Sequence, residues 1–145
     1  MPRMIFVNLP VADVAASTRF YQAIGMTRDP RFSNDQASAM VWSDTITFML
    51  LGHHFYRTFT DKAIADTRAT SAALLCLSQD DRNGVDAITD AALAAGGRET
   101  RPAQDAGFMY GRAFEDLDGH VFEPMWMDVD AAMAAMQPAP EGEKA

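Results

Sequence analysis

A β-α-β-β-β order that occurs twice within 145 residues constrains this chain more than any single motif. In the first half, residues 4–11 form a short β-rich apolar run. Asp13 is placed to cap a helix that ends near Ile24, with Val14, Phe20, Tyr21 and Ile24 as inward positions. Gly25 suits the residue just past the helix end. Strands are expected at 26–31, 37–43 and 46–51, with Asp44-Thr45 as the last turn. The second half repeats the order. It opens with a strand at 72–77. Asp80, Asp81 or Asn83 can cap a helix to about Ala95, with Val85, Ile88, Ala92 and Ala95 on one face, and Gly96-Gly97 ends it. Strands follow near 98–101, 107–115 and 120–127.

The implied fold class is α+β, with a first βαβββ module at 1–52 and a second at 72–128. Residues 53–71 read as a polar and aromatic connector, where Phe55 and Phe59 have helical i,i+4 spacing. Residues 129–145 read as a short helix, over 129–136, and a disordered tail from Pro138.

Composition narrows the function classes. An apolar fraction of 48% is ample for a packed interior, and a net charge of −8 opposes a nucleic-acid groove, which needs a basic footprint. No apolar run approaches the roughly 20 residues of a membrane span, and no basic membrane-binding face is present. The N-terminus lacks a signal-peptide pattern. The single cysteine, Cys76, lies in an apolar run and reads as a buried structural thiol. A cytoplasmic protein with a small-molecule ligand, and neither nucleic acid nor membrane as partner, fits these features.

Chemistry concentrates in the last strand. The acidic turn Asp116-Leu-Asp-Gly119 leads into Val121, Phe122, Glu123, Met125, Trp126 and Met127. A carboxylate set in an apolar strand costs free energy unless something pairs with it, and such groups cluster at functional sites.

Two stretches carry a resemblance. Val11-Ala-Asp13-Val-Ala-Ala-Ser17-Thr-Arg-Phe20-Tyr21-Gln-Ala-Ile-Gly25 resembles the strand-to-helix opening of the vicinal-oxygen-chelate superfamily, which includes glyoxalase I, bleomycin-resistance proteins and extradiol dioxygenases. Asp116-Leu-Asp118-Gly119-His-Val-Phe-Glu123 is similar to the closing hairpin and metal-ligand glutamate of that superfamily. The match runs over about residues 4 to 127, and the segment from Gly107 to His120 looks like bacterial predicted lactoylglutathione lyases. The resemblance implies two modules whose mixed sheet curls into one cup with the helices outside. It also implies a divalent metal held by four side chains, and frequently a homodimer.

The four positions that the resemblance assigns to metal ligands are Phe6, Met49, Leu74 and Glu123 in this sequence. Phenyl and aliphatic groups cannot ligate, and a thioether is too soft for Mg²⁺ or Mn²⁺. Only Glu123 retains a ligand, so a divalent metal is possible only through an incomplete or displaced set, such as Glu123 with His53 and Asn8. Period-two alternation carries His53 to the face of Met49 if that strand continues; otherwise His53-His54 is the solvated start of a loop. Asn8 shares a face with Phe6, and either enters the cup or bonds to backbone at the strand end. Tyr110 and Arg112 share a face. Arg112 either neutralises Glu123 or pairs with Glu115 or another acid. Glu123 is itself either a catalytic base or a carboxylate hydrogen-bonded to Asn8, Tyr110 or backbone. Two functions compete: a glyoxalase-type lyase or isomerase acting through Glu123, and a non-catalytic ligand-binding or drug-sequestering cup with Asn8, Met49, Tyr110, Arg112 and His53 as contacts.

Overall fold

Asp13 and Asp81 set up the two halves in the same way. In a computed structural model that describes residues 2–136, the Asp13 carboxylate accepts the Ala16 amide at 3.0 Å and starts helix α1 (Val14–Ala23). Asp81 accepts the Gly84 amide at 2.7 Å and starts α3 (Arg82–Ala94). Both helices are followed by a glycine in the left-handed region, Gly25 at φ 103° and Gly96 at φ 105°, where a side chain is disfavoured.

The first module continues from β1 (Ile5–Val11) and α1 into β2 (Thr27–Arg28), β3 (Ala37–Ser43) and β4 (Ile46–Gly52). The second comprises β5 (Leu74–Ser78), α3, β6 (Arg98–Asp105), β7 (Met109–Glu115) and β8 (Val121–Met127). Each makes a four-stranded mixed sheet, ordered β1-β4-β3-β2 and β5-β8-β7-β6, in which the first and last strands of the module pair in parallel. The α+β class and the two βαβββ modules are therefore present as expected. A four-residue helix α2 (His53–Tyr56) opens the connector, where the Phe55 and Phe59 rings meet edge-on at 5.1 Å. Helix α4 (Val129–Met136) follows β8. The expected disordered tail from Pro138 lies outside the described residues.

Several boundaries differ from the sequence reading. The strand expected at 26–31 shrinks to Thr27–Arg28, because Pro30 has no N–H for a ladder and Asp29 caps a 3₁₀ turn over Pro30–Phe32. β5 starts at Leu74 rather than Ala72, and β7 starts at Met109 after a turn in which Gly107 has φ 83°. β6 runs on to Asp105.

One core serves both modules. Phe20, Tyr21 and Phe48 from the first pack with Phe114 and Phe122 from the second. Phe122 is fully buried, with ring centroids 5.7 Å from Tyr21, 5.5 Å from Phe48 and 5.6 Å from Phe114. A polar clasp adds to this packing. The Tyr21 hydroxyl donates to Asp116 at 2.7 Å, and the other Asp116 oxygen accepts the Asp118 and His120 amides, each at 2.9 Å. Burial, and then the Asp116 charge, push the Tyr21 phenol well above its ordinary pKa. Asp118 in turn accepts the Ala12 amide at 2.8 Å, tying the closing hairpin of the second module to the β1–α1 junction of the first. Gly119 sits at φ 92°, and a Cβ there would lie 2.7 Å from the Thr67 carbonyl oxygen. The acidic turn that stands out in the sequence is thus the fastening between the halves.

Candidate functional site

Each sheet packs one face into the core and leaves the other open. On the open face of the first sheet, Phe6 and Asn8 pair in register with Thr47 and Met49, which pair in turn with Val41 and Ala39. Phe6 is 56% exposed although apolar. With Met4, Phe32 and Val41 it lines a groove of about 690 Å³ floored by Ala39 and Met49. The Asp29–Arg31 ion pair, at 2.8 Å, stands at the groove rim.

On the open face of the second sheet, Leu74 pairs with Val121 and Cys76 with Glu123. Glu123 is mostly covered, with 16% of its side chain exposed. Its Oε2 accepts Arg101 Nη2 at 2.8 Å, and its Oε1 lies 3.4 Å from the Cys76 thiol. Arg101 Nε is buried and finds no acceptor among the described residues. Cys76 is exposed rather than buried as the sequence suggested, since alternation sends Leu75 and Leu77 inward and the thiol outward. Burial of the sulfur, with the neighbouring carboxylate second, raises the thiol pKa, which keeps it protonated and unreactive.

The sequence reading missed Arg101, and a register shift explains why. Glu99 pairs with Phe114 and Arg101 with Ala113, so β6 spends two residues where β7 spends one. Without that bulge Arg101 would still share the face of Glu99. The extra residue brings Arg98 and Arg101, three apart, onto one face, where Arg98 pairs with Glu115 at 3.0 Å and Arg101 with Glu123.

The expected polar company of Glu123 lies elsewhere. Tyr110 pairs with Trp126 on the face that carries α3, and its hydroxyl donates to Asp86 at 2.7 Å. Arg112 shares that face and pairs with Glu99 at 2.9 Å, Asp90 at 3.0 Å and Asp86 at 3.1 Å. These carboxylates, Glu99 foremost, hold the guanidinium still further above its ordinary pKa. The reading of Arg112 as a partner of Glu123 is corrected to a helix-side ion-pair cluster, and Tyr110 moves with it. His53 does not extend β4; it begins α2 and lines a recess with Ala12 and Asp13. Asn8 lines a separate cavity between the modules. Met49 alone of the expected contacts lies in the groove with Phe6.

These residues do not fit a divalent metal. Phe6, Met49 and Leu74 supply no hard donor, and both Glu123 oxygens have protein partners. Among the described residues, no three His, Cys, Asp or Glu side chains gather at metal-binding distance.

Residues 3–34 match the family model described as bleomycin resistance protein-like N-terminal. A hypothetical protein from S. aureus superposes with a TM-score of 0.74 at 21% identity, covering 87% of this chain and 94% of that one. A glyoxalase-related enzyme from Fulvimarina pelagi gives 0.73 at 20% identity, covering 87% and 88%. A glyoxalase/bleomycin resistance protein/dioxygenase family enzyme from Burkholderia phytofirmans gives 0.71 at 18% identity, covering 87% and 99%. At these identities the likeness establishes the fold, which is that of the glyoxalase/bleomycin-resistance/dioxygenase proteins. No curated protein matches the sequence. Among the described residues, no helix is long and apolar enough to cross a membrane.

Proposed function

We propose that this chain is a binding protein of the glyoxalase/bleomycin-resistance fold, whose ligand lays an apolar, largely flat body in the groove over Phe6, Ala39 and Met49. The observation that carries this reading is the groove itself. It is the right size for a small molecule and its wall is predominantly apolar, with one ion pair at the rim. The alternative, a lactoylglutathione-lyase-like enzyme, needs Glu123 free to take a proton. That carboxylate is committed on both oxygens, to Arg101 and to Cys76. A thermal-shift screen of aromatic and cationic glycopeptide compounds tests the binding reading. At least one class is expected to stabilise the protein saturably, and Met49→Lys, which puts a charge on the groove floor, to weaken its binding about tenfold or more. Unchanged binding in that variant overturns the assignment of the groove. Turnover of a hemithioacetal that disappears in Glu123→Gln restores the lyase reading.

A second copy of the chain is the partner we propose. Phe6 and Leu74 are each more than half exposed, and the groove is walled by first-module residues alone. A two-fold pair that set the Leu74–Glu123 face of one copy over the Phe6–Met49 face of the other would cover this apolar surface and roof the groove. Arg101 Nε would then find an acceptor on the bound ligand. Sedimentation equilibrium is expected to give a dimer at micromolar concentration and a monomer for Leu74→Glu. A wild-type chain that stays monomeric rules the arrangement out.

A further inference from the structure

We propose that the cavity between the two modules is a second binding site, one that takes a small organic ammonium ion with an apolar body. The cavity has a volume of about 470 Å³ and lies between the free edge of β1, the β5–β8 edge of the second sheet and connector residues 65–73. Val7, Leu9, Leu75 and Val121, with the alanine methyls of the connector, give it an apolar wall. Its volume lies within the range of small-molecule pockets.

Among the polar side chains that break that wall are Glu115, His120 and Asn8; the Thr67 and Thr70 hydroxyls beside them donate to the Asp118 and Asp66 carbonyls. Glu115 and His120 are only 6% and 8% exposed. Glu115 Oε1 accepts Arg98 Nε at 3.0 Å, and among the described residues Oε2 accepts nothing. His120 Nε2 lies 2.8 Å from the Pro10 carbonyl oxygen. A carbonyl can only accept, so Nε2 carries the hydrogen of that bond. The Asn8 amide makes no side-chain hydrogen bond among the described residues, and its oxygen is a further acceptor. Each of these groups lines this cavity.

The cavity therefore offers a carboxylate oxygen and an amide oxygen from a largely apolar wall. The complement is a group with several N–H donors, no lone pair and a positive charge, which is an ammonium. An anion is disfavoured by Glu115. The one cationic side chain that lines the cavity, Arg68, is engaged by the Leu117 carbonyl. The net charge of −8 raises the local concentration of cations. Arg98 neutralises Glu115 only from the outside, since its own side chain is 72% exposed and its pairing is screened by water. This site is separate from the groove on the first sheet and does not depend on what that groove binds.

The test is an NMR titration of the full chain with cyclohexylammonium, cyclohexanol and cyclohexanecarboxylate. The ammonium is expected to bind saturably and to shift the amides of Asn8, Ala72 and Val121. Cyclohexanol is expected to bind at least about tenfold more weakly, and the carboxylate not at all. Glu115→Gln is expected to cost the ammonium at least about tenfold in affinity. Arg98→Met, which removes the external competitor and leaves the buried wall intact, is expected to tighten ammonium binding. It also keeps the question open to a decisive answer if the glutamine variant folds poorly. Shifts confined to the groove around Phe6, equal affinity for ammonium and alcohol, or an Arg98→Met affinity no higher than wild type would each overturn the proposal.

Discussion

Phe122→Ala is expected to lose about 3–5 kcal/mol of stability, the usual range for deleting a buried phenyl ring. The residue lies where the halves meet: its ring contacts Tyr21 and Phe48 from the first module and stacks on Phe114 at 16° within the second. The cavity left behind would be walled by three other aromatic rings, which are too rigid to collapse into it fully. Both modules lose packing at once, so they are expected to unfold together and not in sequence. Calorimetry should show a single transition, lowered by roughly 10–20 °C for a chain of this size. Two separated transitions, or a loss below about 1 kcal/mol, would contradict a shared core.

Asp116→Ala is the second large effect, at about 3–5 kcal/mol, because it strands buried donors. The carboxylate is almost fully buried and takes three of them: the Tyr21 hydroxyl and the Asp118 and His120 amides. In the alanine variant the Tyr21 hydroxyl has no water to turn to, since that residue is fully buried. Tyr21→Phe, which removes one donor and strands none, is expected to cost less, about 1–2 kcal/mol. The double variant should cost less than the two single losses added together, because the pair shares one bond. The effect has a pH signature. Burial is the largest influence on the Asp116 carboxyl and raises its pKa, against the lowering effects of His120 and the Tyr21 hydroxyl. A raised value in the folded state means that folding takes up a proton. The associated stability is fully present below the unfolded value and is lost as pH rises through the folded one. Urea midpoints should therefore show a wider gap between wild type and Asp116→Ala near about pH 3 than near about pH 7. A gap that widens with pH would contradict the raised value.

The element order and the two helix caps were legible in the sequence because they rest on local signals. Asp13 and Asp81 each precede an amphipathic run, and Gly25 and Gly96 follow where only glycine sits comfortably. The acidic hairpin is legible as well, but its work is not. Asp116 and Asp118 hold the two halves together by contacts spanning 95 and 106 residues, and no local pattern reports such distances. The site was harder. Period-two alternation correctly placed Tyr110 with Arg112, yet it cannot say which face of a neighbouring strand they share, since that depends on register. β7 pairs Tyr110 with Trp126, one step out of phase with Glu123. Cys76 was hidden in the opposite way, by an uninterrupted apolar run in which inward and outward positions look alike.

The added residue in β6 also bears on how such a scaffold diversifies. β6 is the outermost strand of its sheet, so a change of length there disturbs one neighbour and not two. With regular pairing of the same sequence, Arg101 would lie opposite Arg112 and share the face of Glu99; taking up one residue as a bulge sends it to the side of Glu123 instead, with no residue replaced. Whether an edge strand takes up a bulge can thus decide which charge a sheet face presents, while the aromatic interior goes untouched. Comparisons that score only residue identity would see the same arginine and overlook its change of face.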